Sequence, residues 1–127
     1  MLLEKIFRSN INQLECLYDT CAVPIPCAEC NLNTIGLPTN LPTGAVFNSV
    51  DYPDGNCKLT MASCARNDGK TCVQIAATLT FVDGSTTSSY GAYVQTQSVY
   101  LFCGNDGLYH QNNVHIMSIK CEYANCN

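Results

Sequence analysis

Sulfur is the reactive group this chain carries in greatest number. Ten cysteines, Cys16, Cys21, Cys27, Cys30, Cys57, Cys64, Cys72, Cys103, Cys121 and Cys126, fall within 127 residues. Thiols can cross-link a chain, ligate a metal or carry out thiol-disulfide exchange, and their spacing helps to separate the three. Cys27-Ala28-Glu29-Cys30 has the form of half a zinc site or of a redox pair. A structural zinc site calls for a second close pair, whereas six residues separate Cys57 from Cys64. A thioredoxin-like motif opens a helix in a βαβ unit, whereas Pro24 and Pro26 precede this one and a loop follows. An even count at high density in a short chain marks a disulfide framework, which belongs to an oxidising compartment outside the cytosol. All ten are read as disulfide cysteines. The alternative is a thiol-disulfide oxidoreductase or a metal-binding protein that uses Cys27 and Cys30.

The remaining chemistry-bearing residues are few. His110 and His115, spaced by five on what reads as a loop leading into a strand, join no zinc-binding helix pair and are read as surface or half-buried histidines. Asp54, Asp68, Asp83 and Asp106 could ligate calcium or supply an acid pair for sugar hydrolysis, but each stands beside a glycine, where turn chemistry alone would place it. No Gly-x-Ser-x-Gly elbow and no phosphate-cradling glycine loop occurs. The expectation is a non-catalytic protein with no cofactor and no metal. Tyr90, Tyr93, Tyr100, Phe102 and Tyr109 form the densest aromatic group. Tyrosine is large, stiff and polar at one end, so Tyr90, Tyr93 and Tyr109 are the candidate binding residues, while Tyr100 and Phe102 fall in a strand pattern and read as core or sheet surface.

These residues need elements to hold them. Leu3, Phe7, Ile11 and Leu14 recur as the stripe of a short amphipathic helix, which predicts a helical segment over 1–15. The four cysteines and two prolines of 16–30 suit a knotted turn region, and Asn31 to Asn56 reads as loop with one strand at Ala45 to Val50. Lys58 to Cys64, Cys72 to Val82, Tyr93 to Cys103 and Val114 to Cys121 are rich in Val, Ile, Thr, Tyr and Phe, which makes four strands the minimum. Their alternation sets Ala77, Leu79 and Phe81 against Thr78, Thr80 and Val82, and Val99, Leu101 and Cys103 against Ser98, Tyr100 and Phe102. Four Asp-Gly pairs supply turns that need positive φ. Gly84 to Gly91, dense in Ser and Thr, reads as a flexible hairpin tip. The fold expected is mostly β: a disulfide-stapled antiparallel β-sandwich in one cysteine-rich domain over 16–127, preceded by the short helix.

Charge and hydropathy remove several classes of function. Six basic residues against ten acidic give a net charge of -4, and the basic ones are scattered, so no nucleic acid partner is expected. No apolar run approaches the roughly 18 residues of a membrane span. Met1 to Glu15 is too interrupted by Glu4, Lys5, Arg8, Asn10, Asn12 and Gln13 to serve as a secretory signal, so a secreted, extracellular address requires a signal upstream of this start.

Cys27-Ala28-Glu29-Cys30, then Asp54-Gly55-Asn56-Cys57, then Cys64, followed by Val99-Tyr100-Leu101-Phe102-Cys103-Gly104-Asn105-Asp106-Gly107 with Tyr109, and finally Ile119-Lys120-Cys121, resembles the six-cysteine extracellular domain family expanded in nematodes. The likeness spans about residues 27–121. It implies a presumed extracellular scaffold with no established activity. It also implies pairing of the first and third of the six cysteines, Cys27 with Cys57. Cys30, Cys64, Cys103 and Cys121 would form the other two bridges, expected as Cys64 with Cys103 and Cys30 with Cys121. Cys16, Cys21, Cys72 and Cys126 lie outside the six and suffice for two more. The function expected is recognition of an extracellular protein or glycan, or a structural role at an extracellular surface, through loops 84–93 and 105–113.

Overall fold

The computed structural model describes residues 26–127. The helix expected over 1–15, and Cys16 and Cys21, lie outside those residues. Two single-turn 3-10 helices, Pro26–Ala28 and Leu32–Thr34, precede seven strands: β1 (Ala45–Asp54), β2 (Cys57–Arg66), β3 (Cys72–Phe81), β4 (Thr86–Val94), β5 (Thr96–Cys103), β6 (Tyr109–Gln111) and β7 (Val114–Cys126).

All neighbouring strands are antiparallel, in the order β1-β2-β5-β6-β7-β3-β4. The seven strands form one continuous antiparallel sheet whose two halves are joined through β7. Strand β7 makes it continuous by changing partners. Its first residues, Val114 and His115, pair with β6, and Ile116 to Cys126 pair with β3 beyond a register shift at Thr80/Phe81. A strand that switches partners at a bulge turns a corner. The disulfide Cys64–Cys121 shows how far the sheet turns. β2 and β7 stand three ladder steps apart, about 14 Å in a flat sheet, yet their Cα atoms at this bridge are 5.6 Å apart. The sheet therefore folds over and encloses one core of Ala62, Cys64, Ile75, Leu79, Val99, Leu101, Ile116 and Ile119, all buried. The alternation read from β3 and β5 holds residue by residue, since Ala77, Leu79, Phe81, Val99, Leu101 and Cys103 are inside.

Three strands go beyond the sequence expectation. β1 runs on to Asp54 through Pro53, which a sheet tolerates because β1 is an edge strand and one missing N–H breaks no central ladder. The stretch expected as a flexible tip is strand β4, and the turn itself is only Val82 to Ser85. Its hydroxyls find partners across the sheet: Ser88 shares a hydrogen bond with Thr78 at 2.7 Å, and Gln97 donates to Ser89 at 2.5 Å. β6 is three residues long, too short for periodicity to register. The Asp-Gly glycines Gly55, Gly69, Gly84 and Gly107 all have positive φ. At the β1–β2 hairpin Gly55 is the first of two turn residues between the paired Asp54 and Cys57, the position that a type II′ turn reserves for glycine.

All eight cysteines among the described residues are bridged. Cys27–Cys57 joins as the resemblance implies. The other two expectations are corrected: Cys30 pairs with Cys103 and Cys64 with Cys121. The reason is the folded sheet. Cys64 and Cys103 belong to neighbouring strands, but Cys64 lies opposite Gln97, six residues along β5 from Cys103. Cys72–Cys126 staples the directly opposed ends of β3 and β7. Where β6 stops, Gly36 takes over the open edge of β7: its N–H donates to Met117 O at 2.9 Å, and Ile119 N–H returns the bond to Gly36 O at 2.8 Å. Ile35 beside it enters the core.

The β2–β3 connection is held by charge. Arg66 grips Asp68 through two bonds of 3.2 and 2.5 Å, while Asp68 also accepts Lys70 N–H at 3.1 Å. Gly44 makes the space, because a Cβ there would stand 2.2 Å from Asp68 Oδ2. The Arg66 guanidinium holds the Asp68 carboxyl below its ordinary value of 3.8. A depressed carboxyl stabilises the fold above the ordinary carboxylate range, and that contribution is lost as the pH falls through the folded-state value.

Two expectations follow from the covalent frame and this ion pair. Non-reducing peptide mapping should return Cys30–Cys103 and Cys64–Cys121, and removal of the latter pair as Cys64→Ala/Cys121→Ala should cost about 2–5 kcal/mol in denaturant unfolding; recovery of Cys30–Cys121 would contradict the folded sheet. Asp68→Asn should lower the melting temperature at about pH 7, with the gap from the parent protein closing below about pH 4. A gap that does not change with pH would show the carboxylate to be idle.

Candidate functional site

Residues directly opposite one another in a ladder share a face of the sheet. Across β1, β2, β5, β6 and β7 one such row is Tyr52, Leu59, Phe102, His110 and His115, and beside it run Val50, Met61 and Tyr100. These side chains lie on the side of the sheet away from the core. Val50, Tyr52, Tyr100 and Phe102 are 43–48% exposed, with Leu59 and Met61 half-buried between them. The outer surface of β4, β3 and β7 is different in kind. Its rows are Tyr90, Ala76 and Glu122, then Ser88, Thr78 and Lys120, then Thr86, Thr80 and Ser118. Hydroxyls and a Lys120–Glu122 pair at 3.1 Å cover that half. Val50, Tyr52, Tyr100 and Phe102 are the exposed apolar side chains that stand together on one face, whereas Tyr90, Tyr93, Val82 and Met117 are exposed elsewhere, and a contiguous exposed apolar patch marks an interaction site.

This face ends at a polar cluster. The β5–β6 connection is a tight turn in which Gly104 N–H donates to Leu108 O at 2.9 Å and Asp106 Oδ1 accepts Leu108 N–H at 3.0 Å. The turn fixes the Asp106 carboxylate. His110 Nε2 lies 3.0 Å from both of its oxygens and His115 Nε2 lies 2.9 Å from Oδ2, with the two rings edge to face at 4.3 Å. The bond to His110, then the Leu108 amide, with a further contribution from His115, push the Asp106 carboxyl down to about 2. Gly104 leaves room for this arrangement, since a Cβ there would stand 2.7 Å from the His110 ring.

His110 and His115 are half-buried as expected, but Asp106, expected only as a turn residue, joins them. The missed signal is Asn112-Asn113. Both residues adopt positive φ, 53° and 64°, between the paired Gln111 and Val114. Two such residues make a type I′ hairpin, and counting outward from it sets His110 opposite His115.

The three tyrosines proposed for binding are not brought together. Tyr90 and Tyr93 are exposed, at 64% and 74%, at β4. Tyr109 is a correction: it is 1% exposed and belongs to the interior. Its hydroxyl meets Thr60 Oγ1 at 2.7 Å, and Thr60, itself buried, donates to Asp51 Oδ1 at 2.7 Å. With the one Thr60 proton spent on Asp51, Tyr109 must be the donor to Thr60. Above this network lies an open pocket of about 290 Å³. Lys58 lines it, donating to the Cys30 carbonyl, pairing with Asp51 at 3.5 Å and standing 5.9 Å from the centre of the Tyr109 ring. Lys58 thereby ties the 3-10 segment to the sheet, while Asp51 and Tyr109 are engaged through Thr60.

Cys27 and Cys30 bond to different partners and are 3% and 2% exposed. They are therefore not each other's redox couple, and neither holds a free thiolate for zinc. No family model, curated protein or solved structure matches this chain.

Tyr109→Phe tests the interior assignment. It should cost about 0.5–1.5 kcal/mol in urea unfolding through the bond lost to Thr60, whereas Tyr90→Phe should leave stability unchanged. Equal stability of both variants would place the Tyr109 hydroxyl in solvent.

Proposed function

We propose that this domain is a non-catalytic, secreted recognition module that binds a protein partner through the outer face of β1, β2 and β5. The observation that carries the reading is the set Val50, Tyr52, Leu59, Met61, Tyr100 and Phe102, aligned by register on one exposed surface. Aromatic residues and Met are enriched at protein interfaces, and stiff aromatic side chains lose little entropy on contact. Three disulfides, at Cys57 and Cys64 of β2 and Cys103 of β5, hold strands of that face, so it is presented largely preformed. The bridges also support an extracellular setting. The six-cysteine extracellular family remains the proposed affiliation, on the strength of the sequence motifs and the Cys27–Cys57 pairing. The face takes the role first expected of loops 84–93 and 105–113, because the former is mostly strand.

The test uses disulfide-intact protein immobilised and exposed to the extracellular protein fraction of its source. A protein retained by the parent and by Tyr90→Ser should be retained at least about tenfold less by Tyr100→Ser/Phe102→Ser, because interface aromatics are common hot spots. Equal retention by both variants would remove the face from the function. Retention abolished by glycosidase treatment of the partner would replace the protein with a glycan. An accessible pair of thiols released by millimolar glutathione would instead favour the oxidoreductase.

A further inference from the structure

The two histidines of this protein are its entire complement, and both aim Nε2 at one carboxylate. We propose that Asp106, His110 and His115 form a binding site for a divalent ion of the zinc class, with three protein ligands and an open position facing solvent. This rests on the cluster alone and holds whether or not the neighbouring face binds a protein.

The geometry is close to what an ion requires. The three donor atoms lie within 4.8 Å of one another, and the two contacts to Asp106 are 2.9 and 3.0 Å. A zinc ion bound at about 2.0–2.1 Å in a tetrahedral site sets its ligands about 3.3 Å apart. Adjustments of a few tenths of an ångström to about 1.5 Å suffice. The rings need only exchange their tautomer, moving the proton to Nδ1 so that each Nε2 offers a lone pair.

The scaffold is built for such a set. His110 and His115 are cross-strand partners on β6 and β7, joined by the Asn112-Asn113 turn. Asp106 is oriented by the Leu108 amide, the kind of supporting bond that fixes a metal-ligating carboxylate. Gly104 keeps clear the space that a methyl group would fill, within 2.7 Å of His110 and 2.9 Å of Asp106. The side chains are 21%, 40% and 42% exposed for His110, His115 and Asp106, so an ion can reach them and a further ligand can complete its shell.

The donors choose the ion. Two imidazoles and one carboxylate suit zinc, nickel or copper, whereas calcium and magnesium require oxygen throughout. The net charge of -4 favours any cation over an anion.

The experiment is a titration of the full, disulfide-intact chain with Zn2+, followed by calorimetry and by NMR of the imidazole protons. The expected result is one equivalent bound, both histidine ring signals shifting together, and no such shift with Ca2+. Co2+ in place of Zn2+ should develop visible absorption that added Zn2+ bleaches. His110→Ala, His115→Ala and Asp106→Asn should each weaken binding by more than the about 10–100-fold that changes in supporting residues produce. Gly104→Ala should fall within that range. The ring signals need no variant, so the test survives any failure of these proteins to fold. Histidine signals unmoved up to about 1 mM Zn2+, or Zn2+ affinity unchanged in folded His110→Ala, would overturn the site.

Discussion

Closure of one sheet on itself is the constraint on which the rest of this structure depends. β7 pairs with β6 for two residues and with β3 for the remainder, so the half of the sheet that holds β2 and β5 comes to lie over the half that holds β3. The apolar sides of β2 and β5 then face those of β3 and β7. Burial alone would favour that arrangement, but only weakly specify its offset, since apolar faces slide. Cys64–Cys121 removes the freedom by fixing β2 to β7 at one point in the core. The register of the ladders fixes everything else, including which residues share the outer row that runs from Tyr52 to His115.

Much of the sheet was legible because its strands obey period two. Leu79 and Phe81 in β3, and Val99 and Leu101 in β5, alternate with polar or exposed neighbours, and the Asp-Gly pairs mark turns by a backbone angle that glycine adopts without strain. β1 and β4 were harder to read for a physical reason. They are the two edges, where one ladder side is open, so Pro53 is tolerated and a run of Ser and Thr suffices. Disulfide partners were not legible at all from spacing. Cys30–Cys103 and Cys64–Cys121 bridge 73 and 57 positions of sequence and depend on how the sheet bends, a global property.

The site had an intermediate status. Tyr100 and Phe102 read correctly as members of a strand, but whether their side met the core or water depended on a fold-over that local pattern does not encode. Tyr109 went the other way, into the interior, because one hydroxyl partner on β2 compensates its burial. His110 and His115 met through a turn made by two asparagines at positive φ, a turn without the glycine that usually announces it.

The disulfide pattern also has a mechanical meaning. A pull applied between residue 26 and the last strand would follow the shortest covalent route, from Cys27 across to Cys57, along β2 to Cys64, across to Cys121 and on to the end of β7. Residues 28–56 and 65–120 lie in side loops off that line and would bear no direct load. The two strand segments on that route, 57–64 and 121–126, run in opposite directions, so tension would first have to swing them apart about the Cys64–Cys121 bridge, against the packing of the core. Beyond that opening the covalent route would set the limit of extension.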